Sequence, residues 1–576
     1  MKRARVYIAL LLLLSAATCA AAAEDITEEA KAKLGLAKSY ANLKRYGESI
    51  ALLKELYGNF PDNEEISGEL ANALYSAGMD SEADRVIETM LKLKLKDTQA
   101  LLNLTKTLSG KARYFIAEKI CNAILRDNPE DIEARLWLAR VLSWDQQYDR
   151  SLAQYDEIIR RSPKWLLAWR EKARVLGWQR RYADSVRLYK RIVSEVYPGD
   201  KPTLAEMNAK KYYYNLFDIN GAKHYRRWLE LEKDNPEALF DLGQIYARQM
   251  RWPQARETYE RLLRSYPDNH MAKAVLDKVN LYSRSAATKS GFSHYEADST
   301  SRDIDEKYWK VFTNAVFRVN RDFYLGAGEE AVFYAPSTEK SFNRMKTSIS
   351  LQYYNNPVFS ARGSYSFSVY DGAPKNSNNY DAEINYRPVD MITFSFYSAL
   401  QDVEDNPRTM IRNLRRNDFS LRSSFQPNRR ITAGMDYTYA NFSDKNHKYT
   451  YGIDAEYHLL YEPHVVTLRY RYEAYGFDES RDYYFTPDSF HFNSLGIEWR
   501  QFLNKNLFWG SNDTFFTFGY AVNFDVHEQI GNRLYADIHR DWNNRLSTHI
   551  EWSKKIYNHR DIYGDEQVIA FVKYDF

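Results

Sequence analysis

The chain runs to 576 residues, long enough for at least two domains, and carries 46 Tyr, 29 Phe and 12 Trp, an unusually aromatic composition. A mean hydropathy of −0.62 excludes a helical membrane protein but not a β-barrel, where only alternate residues meet lipid. The formal charge of +3 divides into 44 Lys and Arg against 39 Asp and Glu over 24–287, and 33 against 38 over 288–576; neither balance suggests nucleic acid as a partner.

At the start, Lys2, Arg3 and Arg5 form a basic region, Val6 to Ala17 an apolar one, and Ala21-Ala22-Ala23 precede Glu24 as a small-residue cleavage site. This is the pattern of an export signal over 1–23. Its apolar stretch is too short to span a bilayer comfortably. Thr18 before Cys19 fits poorly with lipidation. The mature chain then keeps Cys121 alone, which leaves neither a disulfide framework nor a cysteine metal site.

From Ala30 to about Asp268 the chain is helical and repetitive. Pro61, Pro129, Pro163 and Pro198 recur at intervals of 68, 34 and 35 residues. A 34-residue period is that of tetratricopeptide repeats, pairs of helices that stack into a solenoid. Paired small and large residues recur with it, as in Leu36, Ala37, Tyr40, Ser49 and Leu53, or Leu242, Gly243, Tyr246, Ala255, Tyr259 and Pro267. Lys201 to Asn235 is out of register, either a degenerate repeat or an insertion.

Beyond Ala286 the period changes to two. Sixteen alternating segments follow, fourteen clear ones and weaker ones near Phe292–Ala297 and Phe323–Tyr334. Tight connections (Pro388-Val389-Asp390, Gln426-Pro427-Asn428, Glu462-Pro463) alternate with long polar ones at Ala373–Asn379 and Gln401–Asn413. The expected fold is therefore α+β and multidomain: a tetratricopeptide solenoid over 24–287, then an antiparallel outer-membrane β-barrel of about sixteen strands over 288–576. An even strand count puts both barrel ends on the short-turn, periplasmic side, with the solenoid.

Charges cannot face lipid cheaply, so the strands sort themselves. Val466, Leu468, Tyr470 and Tyr472 share one face and Arg469, Arg471 and Glu473 the other. The expected inward set is Asp381, Glu383, Asp436, Asp454, Glu456, Glu473, Glu498, Asp537 and Glu551, against Arg469, Arg471 and Arg500. Such residues either line a path or simply pair with each other. A net acidic lumen would favour a neutral or partly cationic passenger.

In the solenoid, Arg140 and Trp144 recur 34 residues on as Arg174 and Trp178. A ladder of indoles and guanidinium donors on the groove suits sugar rings, and suits a peptide equally. GxSxG, P-loop, HExxH and Rossmann patterns are absent and the eleven His are scattered, so neither enzyme activity, cofactor nor metal is expected.

The last strand, Gln567 to Phe576, ends on an aromatic with another two residues earlier. It resembles the terminal signal read by the barrel-assembly machinery of bacterial outer membranes. Tyr483-Tyr484-Phe485-Thr486-Pro487, then Phe490 and Gly496-Ile497-Glu498-Trp499, look like a segment recurring in exopolysaccharide-export porins of Gram-negative bacteria. Signal, solenoid and barrel together resemble that group, nearest in type to the poly-N-acetylglucosamine exporters and sharing its layout with the cellulose exporters. The resemblance implies passive export of an exopolysaccharide, outer-membrane lipid around the barrel, and a synthase in the inner membrane or periplasm as partner. Having fewer repeats than the type, this chain need not recruit a modifying enzyme. The competing expectation is a plugged barrel acting as a surface receptor or adhesin.

Overall fold

A computed structural model describes residues 27–92, 97–267, 269–284, 286–299, 306–335, 341–372, 374–404, 407–504, 507–526, 530–558 and 562–576; the expected export signal lies outside them. Among these residues fifteen helices form seven hairpins and a closing helix. The hairpins are α1–α2 (Glu28–Asn42, Tyr46–Asn59), α3–α4 (Glu64–Ser76, Asp80–Met90), α5–α6 (Thr98–Gly110, Tyr114–Asp127) and α7–α8 (Ile132–Trp144, Tyr148–Arg161). They continue as α9–α10 (Leu166–Trp178, Tyr182–Arg191), α11–α12 (Lys201–Tyr214, Asp218–Leu231) and α13–α14 (Pro236–Arg248, Trp252–Ser265), closed by α15 (His270–Arg284).

Local chemistry explains the punctuation. Asn63, Asp97, Asp131, Asp200 and Asn235 each accept a backbone N–H from the first turn of the helix that follows. Each hairpin turns through one left-handed residue: Lys44, Gly78, Ala112, Gln146, Arg180, Leu216 and Met250. The next N–H then reaches back to the helix, as from Gln147 to the Leu142 carbonyl at 2.8 Å and from Arg251 to that of Tyr246 at 2.8 Å. Small residues let the paired helices close up: Ala37 and Ala139 are fully buried, and their carbonyls accept from Ser49 and Ser151 hydroxyls at 2.9 and 2.7 Å. First helices starting at residues 132, 166, 201 and 236 are 34, 35 and 35 apart, so Lys201–Asn235 is a repeat and not an insertion. Its signature is hidden because its second helix, from Asp218, starts 36 residues after the one at Tyr182 and 34 before the one at Trp252, which breaks the 34-residue register.

Sixteen strands follow: β1 Ala286–Ser299, β2 Glu306–Arg318, β3 Phe323–Tyr334, β4 Phe342–Asn356, β5 Phe359–Asp371, β6 Ser377–Val389, β7 Ile392–Asp402 and β8 Arg415–Asn428. The second half is β9 Ile431–Phe442, β10 His447–Leu460, β11 His464–Phe477, β12 Phe490–Phe502, β13 Thr514–Asp525, β14 Ile530–Asp541, β15 Leu546–Asn558 and β16 Ile562–Asp575. Each pairs antiparallel with its neighbours, and β1 closes on β16 with Ala287 opposite Asp575. All sixteen alternating segments are strands. This is a closed outer-membrane-type β-barrel, and no described helix is long and apolar enough to cross a membrane. Alternation leaves residues such as Ile453, Leu495 and Ile538 exposed outward at 53, 56 and 60%.

Both barrel ends lie at the end that carries most of the tight turns; the other end carries the long connections 403–414 and 478–489 beside short ones such as 443–446, and two expected connections differ. β6 begins at Ser377, so the polar stretch before it makes only a short connection, whereas β12–β13, at the short-turn end, is joined by residues 503–513. The chain divides into two compact units, one ending at Val175 and one beginning at Leu176, inside α9 and not at the helix-to-strand junction. Contacts between α10–α15 and the barrel turns account for the position of that boundary.

Candidate functional site

Strand register places the twelve expected inward residues on one face. Asp454 opposes Arg471, Glu456 opposes Arg469, and Asp537 opposes Glu551. Side chains bridge strands that are not neighbours: Arg471 of β11 donates to Asp436 of β9 at 2.7 Å, and Arg422 of β8 to Asp454 of β10 at 2.8 Å. Arg469 reaches Glu498 at 2.6 Å and the Tyr535 hydroxyl, three strands away, at 3.1 Å. Such reach fits the concave side of a barrel, where side chains converge. Arg471 also meets Glu473 at 2.9 Å, Arg500 donates to Thr517 at 3.0 Å, and Glu383 accepts from Asn385 at 2.9 Å.

The net acidic wall read from the sequence needs correction. The same face also holds Lys310, Arg344, Lys346, Arg362, Arg416 and Arg422, and Arg362 pairs with Asp381 at 3.0 Å. These cations sit among serines, where charge alternation is weak, but the Leu421-Arg422 step carries the same period-two signal as the residues that were found. Half-exposed pairs of this kind contribute about 0–1 kcal/mol each. They set the charge pattern of the wall more than its stability.

At the long-loop mouth, residues 403–404 and 407–414 between β7 and β8 pack against the inner wall, carrying a short helix, α16 (Pro407–Ile411). Met410 packs on Val332, Tyr334 and Phe342 of β3 and β4. Val403 and Leu414 pack on Ala440, Phe442, Phe477 and Tyr484 on the other side. Glu404 pairs with Arg344, which is 3% exposed. The Tyr483-Tyr484 segment braces this arrangement: both hydroxyls donate to Asp444, at 2.6 and 3.1 Å, and Arg412 lies 4.2 Å over the Tyr483 ring. Four apolar side chains in an otherwise polar loop, Val403, Met410, Ile411 and Leu414, are the signal that could have revealed it.

The short-turn rim is occupied by helices of the same compact unit. Asp390, in the β6–β7 turn, accepts from the Ile219 and Asn220 backbone N–H groups at 2.8 and 2.9 Å, capping α12 from outside. Gln244 of α13, fully buried, exchanges two hydrogen bonds with the Trp509 backbone, at 2.8 and 3.1 Å. Phe508 stacks edge-on against Phe240 at 5.8 Å, and Trp509 lies 5.6 Å from Trp252. Lys278 of α15 donates to the Ser511 carbonyl at 3.1 Å. Arg429, in the β8–β9 turn, holds Glu462 at 2.6 Å and the Tyr182 hydroxyl at 3.1 Å. Nothing local in the sequence marks these residues, because partners such as Gln244 and Trp509 lie 265 positions apart.

Burial works against the Glu462 charge, but Arg429 and Arg180 outweigh it and hold the carboxyl below its ordinary value of 4.5. A depressed carboxyl contributes stability that is present above the unfolded value and lost as pH falls through the folded one. The Tyr182–Arg429–Glu462 contact is therefore expected to hold at pH 7 and to loosen as pH drops below about 4.5. Protease accessibility of the β10–β11 turn across pH 7 to 3 checks this, and Glu462→Gln should flatten the profile.

The solenoid ladder is committed to internal bonds. Arg140 forks onto Glu171 at 2.6 and 2.9 Å, and Tyr155 donates to the same carboxylate at 3.0 Å. The Trp178 indole N–H donates to Glu237 at 3.1 Å. Trp144 is half-buried with its ring 6.3 Å from that of Trp137, and Arg174 is likewise half-buried. Arg140 and Trp178 hold helices together through Glu171 and Glu237.

A tetratricopeptide-repeat family model matches residues 41–106 and 221–279. No curated protein matches the chain. Among solved structures it is similar to a bacterial polysaccharide outer membrane secretin, 12% identical with a TM-score of 0.43, covering 51% of this chain and 99% of that one. It is also similar to a tetratricopeptide repeat protein from Parabacteroides merdae ATCC 43184 (18% identical, TM-score 0.33, 44% of this chain, 100% of that). A thermophilic repeat protein of Thermus thermophilus is 20% identical with a TM-score of 0.27, covering 32% and 100%.

Proposed function

We propose that this protein is an outer-membrane conduit for a secreted exopolysaccharide, neutral or partly cationic and similar to poly-N-acetylglucosamine. The observation that carries this reading is a closed sixteen-strand barrel with acids and bases spread over much of its inner face and solenoid helices fixed to its short-turn rim. A barrel of this size encloses room for an aqueous path. A wall of closely spaced acids and bases carries no strong field of one sign and suits an uncharged or weakly charged chain of hydroxyls better than a polyelectrolyte.

In this reading residues 1–23 direct export, the barrel-assembly machinery inserts the closing strand, and the solenoid lies in the periplasm, guiding polymer or docking protein partners. The conduit is a porin and catalyses nothing; an inner-membrane synthase supplies polymer and driving force for a biofilm matrix. A second reading, a plugged receptor or adhesin, is favoured by Val403, Met410 and Leu414 packing into the mouth.

Single-channel conductance of the purified protein in a planar bilayer tests the proposal. Opening events interrupted transiently by amino-sugar oligomers are the expected result. Opening events indifferent to every oligosaccharide would remove the polymer-export reading.

A further inference from the structure

The outward wall carries a feature unrelated to conduction. On β3 the outward row reads Phe323, Leu325, Ala327, Glu329, Ala331, Phe333, with Glu329 exposed. Strand tilt puts Glu329 roughly 15 Å from the level of Phe323 and roughly 10 Å from that of Phe333, inside the apolar band. Register places hydroxyls beside it: Thr313 and Thr347 oppose Glu329 on either side, and Ser290 opposes Thr313. Thr347 donates to Glu329 at 3.0 Å, and Thr313 donates to Ser290 at 3.0 Å. Elsewhere on the described outward face such charges meet as ion pairs, Lys554 with Glu566 at 3.1 Å and Lys307 with Glu296 at 3.2 Å, whereas no cation stands beside Glu329.

A carboxylate facing lipid tails is costly, and tails offer no donor. The patch holds a carboxylate acceptor, hydroxyl donors and no cation. Ser290 accepts from Thr313 and so keeps its own proton to give. Ala315, Ala327 and Ala331 leave the wall shallow enough for close approach. We infer that this patch is an intramembrane contact face for a second copy of the chain. Around a twofold axis along the membrane normal beside Thr313, β1 of one copy faces β3 of the other, which brings the hydroxyl side to the carboxylate side.

Thiol crosslinking of the full chain in bilayers tests this. Cys121 is fully buried and burial pushes its thiol up to about 12, so it stays unreactive; Cys19→Ser removes the other. On that background Thr313→Cys with a short bismaleimide is expected to give a product of twice the chain mass. Adding Glu329→Leu should lower its yield at least tenfold, and Val522→Cys, outward on distant β13, should give none. Heat-modifiable gel migration verifies that each variant has a folded barrel. Absence of the doubled product from folded Thr313→Cys, or equal yields from Thr313→Cys and Val522→Cys, overturns the inference. A product with a protein of another mass overturns the second copy as occupant.

Discussion

Lys210→Met is expected to destabilise the helices of the second compact unit by about 3–5 kcal/mol, the range for removing one partner of a buried ion pair. Lys210 on α11 is 2% exposed, lies 2.7 Å from Asp241 and also pairs with Glu237. Burial works against its charge, but Asp241 and Glu237 outweigh burial and hold the ammonium well above its ordinary pKa. Tyr225 donates to Asp241 at 2.6 Å and Trp178 to Glu237, so the carboxylates are fixed around this cation. Methionine fills the space without the charge and strands a buried acid, Asp241, and a half-buried one, Glu237. Adding Glu237→Gln and Asp241→Asn should recover most of the loss, since a neutral network has no charge left unpaired. Thermal unfolding followed by helical circular dichroism reads both effects. A single mutant as stable as the parent would mean that water or a proton already neutralises the site.

Replacing residues 403–414 by a short glycine-serine link is the second large effect, expected to raise single-channel conductance several-fold with insertion unchanged. The loop is anchored on opposite sides of the mouth, by Met410 towards β3 and β4 and by Val403 and Leu414 towards β9 and β11. Each anchor is buried to within 3% of complete. Burying one such side chain stabilises by about 1.5–3 kcal/mol, so the resting loop is held in place. Met410→Asp with Leu414→Asp should give part of the same rise without shortening the chain. Conductance unchanged by full excision would locate the barrier elsewhere in the lumen, and would weigh towards a plugged receptor.

Both periods, 34 and 2, were legible because one face of each element is obliged to be apolar while the other is not. Strand register followed for the same reason: one slip would turn Arg469 and Arg471 to lipid. The solenoid groove was less legible. Arg140 and Trp178 recur at the repeat spacing whether they face a ligand or a neighbouring helix, and only Glu171 and Glu237, from other helices, decide between the two. The same limit hid the rim. Asp390 reads as an ordinary turn residue until the end of α12 arrives above it. Lys201–Asn235 escaped because its second helix starts 36 residues, not 34, after that of the repeat before it, which moves Gly221 and Tyr225 off the expected spacing.

The insertion of Phe508 and Trp509 between Phe240, Trp252 and Tyr282 bears on the order in which the molecule is made. Those two aromatics belong to the apolar interior of the last hairpin, yet Phe508 is synthesised 243 residues after the hairpin ends at Ser265, and Gln244 and Trp509 are 265 positions apart. Until strands β12 and β13 exist, the slot for them is open and greasy. The final repeat therefore matures with the barrel and not before it, and a chain whose barrel is unfinished carries an exposed apolar slot that the finished protein fills.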